Sequence, residues 1–319
     1  MSEASYPPAS RHGNVKVRTD IELTGVTDGM ALPLVCRWPE DSLPRGYVVF
    51  CHGLSASGRD YADLSAYWAA RGYLVIHPTF PDWIGAVAAA EPHLGLDPAG
   101  DLSAWQADPQ VRARMFEILH EPWYWFERIR IVRRVMGGLD AIMAGTCGRL
   151  PDPVPGAIAG HSFGAYTSQL LAGAWIDLPG EGPRNFRDDR FSAAILLSAQ
   201  GRDQQGLREG SWDDISGPLL NVTGTLDGGA KGQDWHWKVE PYEFAPPGDK
   251  YLALLTDANH YLGGIARPDQ SPVPAHKQAV EQLTLAFLDA YLLKDAPAKD
   301  WLARLDDRIG NCELLFKRK

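Results

Sequence analysis

The chain is poor in cysteine, in long apolar runs and in basic charge, and each shortage closes off a class of function. Its four cysteines fit neither a zinc spacing nor a paired redox motif. Cys36 and Cys51 lie in apolar, strand-like runs, where a thiol serves as a small buried hydrophobe. Cys147 and Cys312 stand in loop or terminal context and are left as candidates to pair. No stretch approaches the roughly 20 apolar residues a membrane helix needs, and residues 1–14 carry no apolar core of signal-peptide length. The expectation is a cytoplasmic protein without a membrane span. Lys and Arg number 31 against 40 Asp and Glu, a formal net charge of −9, which offers no broad attraction to nucleic acid or an anionic bilayer. The sequence contains no internal repeat and no low-complexity tract.

What is present suits an enzyme. The 319 residues, 45% hydrophobic and 22% charged, are enough for one large α/β domain. Residues 1–14, with Pro7, Pro8 and Gly13, read as a flexible segment ahead of a single domain over 15–319. Two opening strands are expected at 15–23 and 32–38, separated by a turn at Thr27-Asp28-Gly29. Short continuous apolar runs at 46–51, 73–77, 156–160, 191–198, 218–223 and 251–255 suit strands buried on both faces of a parallel sheet. Between them, helical periodicity predicts helices at 59–71, closed by Gly72, and at 122–144, 163–174 and 276–293. The alternation predicts a doubly wound, mostly parallel sheet of about eight strands flanked by helices. Residues 78–121, rich in Pro, Gly and Trp, are too long for a plain connection and read as an insertion over the functional site.

Gly160-His161-Ser162-Phe163-Gly164 matches G-x-S-x-G between a predicted strand and a predicted helix, the context that gives this common pattern meaning. A serine there occupies a strained turn, small neighbours let adjacent chain pass close by, and the helix N-terminus favours developing negative charge. Its hydroxyl needs a base to become nucleophilic. Of nine histidines, His260 is the strongest candidate, since it follows the last core strand and so reaches the same carboxyl edge of the sheet. His52 is expected to shape a neighbouring loop by packing, and His161 to be a packed ring pointing away from substrate. His12, His77, His93, His120, His236 and His276 lack a matching context. The imidazole needs a carboxylate to fix its tautomer, and Asp227, after the strand at 218–223, completes the chain order Ser, Asp, His. Asp203 is the second choice and Asp234 the third; Asp257 is too close to His260 in sequence to face it easily. Backbone N–H groups of Phe163 and of Leu54, preferred over Ser55, are expected to hold the oxyanion. Eleven tryptophans are many, and Trp83, Trp105, Trp123 and Trp235 stand in segments expected to line a substrate pocket, alongside Trp125 and Trp237.

With these residues in place, residues 15–295 resemble the α/β-hydrolase superfamily. The His52-Gly53-Leu54 loop, the Gly-His-Ser-Phe-Gly turn and the arginine-rich helix before it resemble its dienelactone-hydrolase-like and platelet-activating-factor-acetylhydrolase-like branch. Two departures limit what that implies. Dienelactone hydrolases use a cysteine nucleophile where this chain has Ser162, and the acetylhydrolase acid falls where this chain has Ser198, which favours Asp227. The expected activity is a serine esterase working through an acyl-enzyme on short to medium acyl or aryl esters, with no metal or organic cofactor. An amidase, peptidase or acyltransferase on the same three residues is the alternative, and a non-enzymatic binding protein is the rival outside enzymology.

Overall fold

The computed structural model describes Tyr6 and residues 13–23, 32–150, 153–178, 180–266 and 272–319. Among these residues the strands are β1 (Val15–Leu23), β2 (Leu32–Pro39), β3 (Gly46–Cys51), β4 (Tyr73–Pro78), β5 (Gly156–His161), β6 (Trp175–Leu178), β7 (Gly182–Asn185), β8 (Ala193–Leu197), β9 (Leu219–Gly224), β10 (Lys250–Leu255), β11 (Arg308–Ile309) and β12 (Cys312–Arg318). The helices are α1 (Ala62–Ala69), α2 (Ile84–Ala90), α3 (Pro109–His120), α4 (Pro122–Gly137), α5 (Leu139–Ala144), α6 (Phe163–Leu171), α7 (Trp235–Phe244), α8 (Pro274–Leu292) and α9 (Ala296–Arg304). The expectations for His12, for the turn at Thr27-Asp28-Gly29 and for most of the segment 1–14 lie outside the described residues. Within that segment Tyr6 is buried, and its N–H donates to Gln282 Oε1 on α8 at 2.9 Å.

Ten strands form one sheet in the order β1-β2-β4-β3-β5-β8-β9-β10-β12-β11. Every pairing from β4 to β10 is parallel, while β1 and β2 on one side and β12 and β11 on the other are antiparallel. The sheet is thus α/β and mostly parallel, and the two strands beyond the eight expected are β11 and β12.

Alternating side chains build a core on each face. Val48 and Phe50 of β3 pack with Val75, α1, α8 and α9, whereas Val49 and Cys51 pack with Ile76, α4 and α6 on the opposite face. The run predicted as one helix over 122–144 is two, α4 and α5, parted at Gly138. A Cβ on Gly138 would come within 2.7 Å of Leu23 Cδ2, so the break falls where β1 leaves room for glycine alone. Among the described residues no helix is long and apolar enough to cross a membrane.

The strand order decides where a ligand can bind. From β3 the chain passes through α1 to β4 on one side, then returns through α2–α5 to β5 on the other side of β3. Strand order therefore reverses between β3 and β5, and the connections leaving their carboxyl ends diverge to open a crevice.

Candidate active site

Ser162 sits in that crevice, between the last residue of β5 and the first of α6. Its backbone takes φ 54° and ψ −119°, a sparsely populated conformation for a residue with a side chain, so the surrounding structure must impose it. The flanking glycines show how. A Cβ on Gly160 would lie 2.2 Å from Gly164 O, and one on Gly164 would lie 1.8 Å from Cys51 O at the end of β3. The end of β3, the turn and the start of α6 are in direct contact, and only glycine fits there. Ser162 N–H donates to Leu197 O at 2.9 Å, which carries the sheet ladder into the turn. Half-buried, Ser162 lines a cavity of about 370 Å³ together with Leu54, His161, Lys238 and His260.

His260 and Asp227 meet at the wall of this cavity. His260 Nδ1 lies 2.9 Å from Asp227 Oδ1. A carboxylate can only accept, so Nδ1 carries the proton and Nε2 is left as the basic nitrogen. Asp227 is buried, and Thr223 Oγ1 donates to its Oδ2 at 2.8 Å. Burial would raise its carboxyl pKa, but the Lys238 ammonium, the His260 ring and hydrogen bonds from His260 and Ser198 outweigh it and hold the group well below the carboxylate range. Lys238 is itself buried, with Nζ 3.9 Å from Asp227 Oδ1 and 3.3 Å from Ser198 O. Burial pulls its pKa down and Asp227 partly restores it. Ser198 Oγ stands 2.8 Å from His260 Nδ1. Asp203, Asp234 and Asp257 are exposed, and none accepts a hydrogen bond from the His260 ring among the described residues. Neither Ser162 Oγ nor His260 Nε2 makes a hydrogen bond among the described residues, so the structure brings the two to one cavity without joining them.

The loop after β3 is held by a buried cation. Arg128, from α4, forks onto Asp82 with Nε–Oδ1 2.8 Å and Nη2–Oδ2 2.5 Å, and its Nη1 donates to His52 O at 2.8 Å. Its guanidinium lies over the Phe163 ring at 4.1 Å, tying loop and turn together. Phe80 N–H donates to His52 Nε2 at 2.9 Å, so His52 Nδ1 carries the proton and donates to Gly53 O at 2.8 Å. Burial, followed by Arg128, pushes the His52 pKa well below the usual histidine range, leaving a neutral spacer. The N–H groups of Gly53 and Ser55 are taken by Tyr61 Oη and Asp82 O, at 3.0 and 3.2 Å. Those of Leu54 and Phe163 have no acceptor among the described residues. Leu54 lines the cavity and Phe163 opens α6, where the first N–H groups lack helical acceptors.

A polar chain links this loop to the histidine. Tyr61 Oη, which accepts from Gly53 N–H, lies 3.0 Å from His161 Nδ1, and His161 Nε2 lies 2.7 Å from His260 O. The carbonyl requires Nε2 to donate, so Nδ1 accepts from the Tyr61 hydroxyl. Burial first, then His260, pushes the His161 pKa down to about 3. The His161 ring is packed as expected, but it does not point away from the site. It lines the cavity and carries the loop of His260.

The tryptophan expectations separate. Trp105 lines the cavity beside Ser162, and so does Trp237. Trp83 lines a neighbouring cavity. Trp123 is 52% exposed on the first turn of α4, edge-on to Tyr124, and Trp235 packs against Val239, Tyr242, Leu252 and Leu254. None of these three lines the Ser162 cavity, which proximity in sequence does not reveal. Of the insertion, Trp105, Gln106, Arg112, Phe116 and Leu119 reach the cavity. All four cysteines are free thiols, so the pairing of Cys147 with Cys312 does not form. Ser198, Lys238, Arg128 and Tyr61 were not anticipated as site residues; only Ser198, at the carboxyl end of β8, carried a positional signal. No protein-family model matches the chain, and no curated protein matches it.

Proposed function

We propose that this chain is a serine hydrolase of the α/β-hydrolase fold that cleaves carboxylic esters. The observation that carries this reading is the Asp227–His260 pair, 2.9 Å apart, on the wall of the cavity that Ser162 enters from a strained strand-to-helix turn. In the mechanism, His260 Nε2 takes the proton of Ser162 Oγ as that oxygen attacks the ester carbonyl. The C–O bond to the alcohol breaks, with His260 returning the proton to the leaving oxygen. Water, deprotonated by the same nitrogen, then attacks the acyl carbon; the bond to Ser162 Oγ breaks, His260 returns the proton to that oxygen, and the acid is released. The Leu54 and Phe163 N–H groups stabilise the oxyanion in both steps. Asp227 holds the His260 tautomer and offsets the charge on the ring. Ser162 Oγ and His260 Nε2 close their hydrogen bond when substrate is bound, as catalytic pairs often do.

A fluorophosphonate probe tests this directly. The expected result is one adduct, mapped to Ser162 and absent from Ser162→Ala. On p-nitrophenyl esters of increasing acyl length, that variant should lose about four orders of magnitude or more in kcat. An unlabelled Ser162, or a Ser162→Ala protein that keeps its esterase activity, would refute the assignment. Matched amides assayed beside the esters address the amidase alternative.

A further inference from the structure

One wall of the cavity is polar in a way that acyl transfer does not require. Gln200, Gln204 and Gln205, in the loop after β8, and Trp105, in the turn before α3, all line it and are between 4% and 8% exposed. Each has one buried polar atom without a partner among the described residues: Gln200 Oε1, Gln204 Nε2, Gln205 Oε1 and Trp105 Nε1. The surrounding groups are tied down. Gln205 Nε2 donates to Leu119 O at 3.0 Å, and Gln204 Oε1 lies 3.2 Å from His120 Nε2. The Gln200 backbone carbonyl accepts from Gln169 Nε2 at 3.2 Å. Turning either bonded amide end over would exchange nitrogen for oxygen and still leave one atom unpaired. Native proteins keep few such groups, and four in one wall call for a ligand.

These four side chains carry no charge. Of the charged groups that reach the cavity, Lys238 is engaged by Asp227 and Ser198 O, Asp60 accepts from the N–H and hydroxyl of Ser57, and Arg112 is exposed, with Nη1 3.5 Å from Gln106 O. Two leftover oxygens ask for an N–H and two leftover N–H groups ask for a carbonyl, and an amide offers both on adjacent atoms. We infer that this wall is a subsite for a neutral amide, so that the substrate is an ester bearing a carboxamide or acylamino group near its scissile bond. This rests on the esterase reading and narrows its substrate from a plain acyl or aryl ester.

Two ester pairs of matched chain length test it. On the acyl side, p-nitrophenyl N-acetyl-β-alaninate is compared with p-nitrophenyl hexanoate; on the alcohol side, 2-acetamidoethyl acetate is compared with pentyl acetate. Each rate is divided by the hydroxide-catalysed rate of the same ester. The amide member of at least one pair should be preferred about tenfold or more in kcat/KM, since a site built to hydrogen-bond rejects an analogue that cannot. The ratio should fall towards one in Gln200→Leu/Gln204→Leu, and also in Trp105→Phe, which removes a single N–H and disturbs packing least. A ratio near or below one in both pairs for the unaltered protein overturns the inference.

A second readout does not need turnover. In Ser162→Ala, N-butylacetamide should bind at least fivefold more tightly than 2-heptanone and shift the indole N–H resonance of Trp105. No shift with millimolar amide overturns the subsite even where Ser162 proves to be the nucleophile. A discriminating shift in a protein whose Ser162 ignores fluorophosphonate would leave the subsite standing and remove the esterase reading.

Discussion

Asp227 is ionised in a place where burial alone would neutralise it, and the residue most responsible is Lys238. The pair is a compromise: each buried charge is tolerable because the other is 3.9 Å away. Because the folded-state pKa of Asp227 is depressed, its contribution to stability is complete above the unfolded carboxylate range, about pH 4. It is lost as pH falls towards the folded value. Lys238→Met removes the largest of the influences that lower this pKa. The Asp227 carboxyl should then titrate at higher pH, nearer an ordinary aspartate, in carbon NMR of the labelled side chain, and the acid loss of stability should begin at correspondingly higher pH. An unmoved carboxyl resonance would mean that Thr223, Ser198 and His260 suffice to hold the charge. Legibility at this scale was uneven for a physical reason. Ser162, His260 and Asp227 lie at strand ends that periodicity can locate. Lys238 lies in a helix, where a lysine ordinarily faces water, and nothing in Trp235-His236-Trp237-Lys238 marks its charge as internal.

The strands that were legible in the sequence are those buried on both faces, because a short unbroken apolar run such as 46–51 or 251–255 has few other uses. The elements that were not legible each break a rule of pattern. Helix α7 carries Pro241 in its interior, and β6–β7 is a short hairpin with a largely accessible second strand. In β12, Cys312, Leu314 and Phe316 are buried, while Leu315 points outward and blurs the alternation. That last strand nevertheless covers the edge of β10, which would otherwise present unpaired backbone groups. Burying its three inward side chains contributes about 1.5–3 kcal/mol each, a sum comparable with the roughly 5–15 kcal/mol that holds a typical protein folded. Deleting residues 307–319 should therefore give a protein that aggregates on size-exclusion chromatography, or melts at least 10 °C lower. A monomeric truncation with an unchanged melt would show that β10 needs no cover.

Over the whole molecule, titrating groups pull stability in opposite directions with pH, and their balance can be worked out. Three buried histidines, His52, His77 and His161, have pKa values pushed below the ordinary range, in each case by burial first. As pH falls through about 6.5, their unfolded counterparts take up protons that the folded ones refuse, so stability is present above that value and lost below it. Glu281 on α8 runs the other way. Burial raises its pKa to about 7 against the partial relief of Lys277 and Arg71, so its contribution is present at low pH and fades as pH rises from the unfolded glutamate value towards 7. Near pH 5.5 the histidines favour the unfolded state by up to three protons and Glu281 opposes by one. The net slope is then on the order of 2–3 kcal/mol per pH unit, with stability rising as pH rises. This window coincides with the sequence isoelectric point near 5.5, where repulsion between molecules is weakest and exposed core is most prone to associate. Urea midpoints between pH 5 and 8 should therefore climb steeply up to about pH 7 and then level, with precipitation at the acid end. Glu281→Gln should raise the midpoint at pH 8, by on the order of 3 kcal/mol in stability, and leave it nearly unchanged at pH 4.5. Equal midpoints at pH 5 and 7 would show that the three rings accept protons in the folded state and that the interior around the Ser162 crevice admits charge.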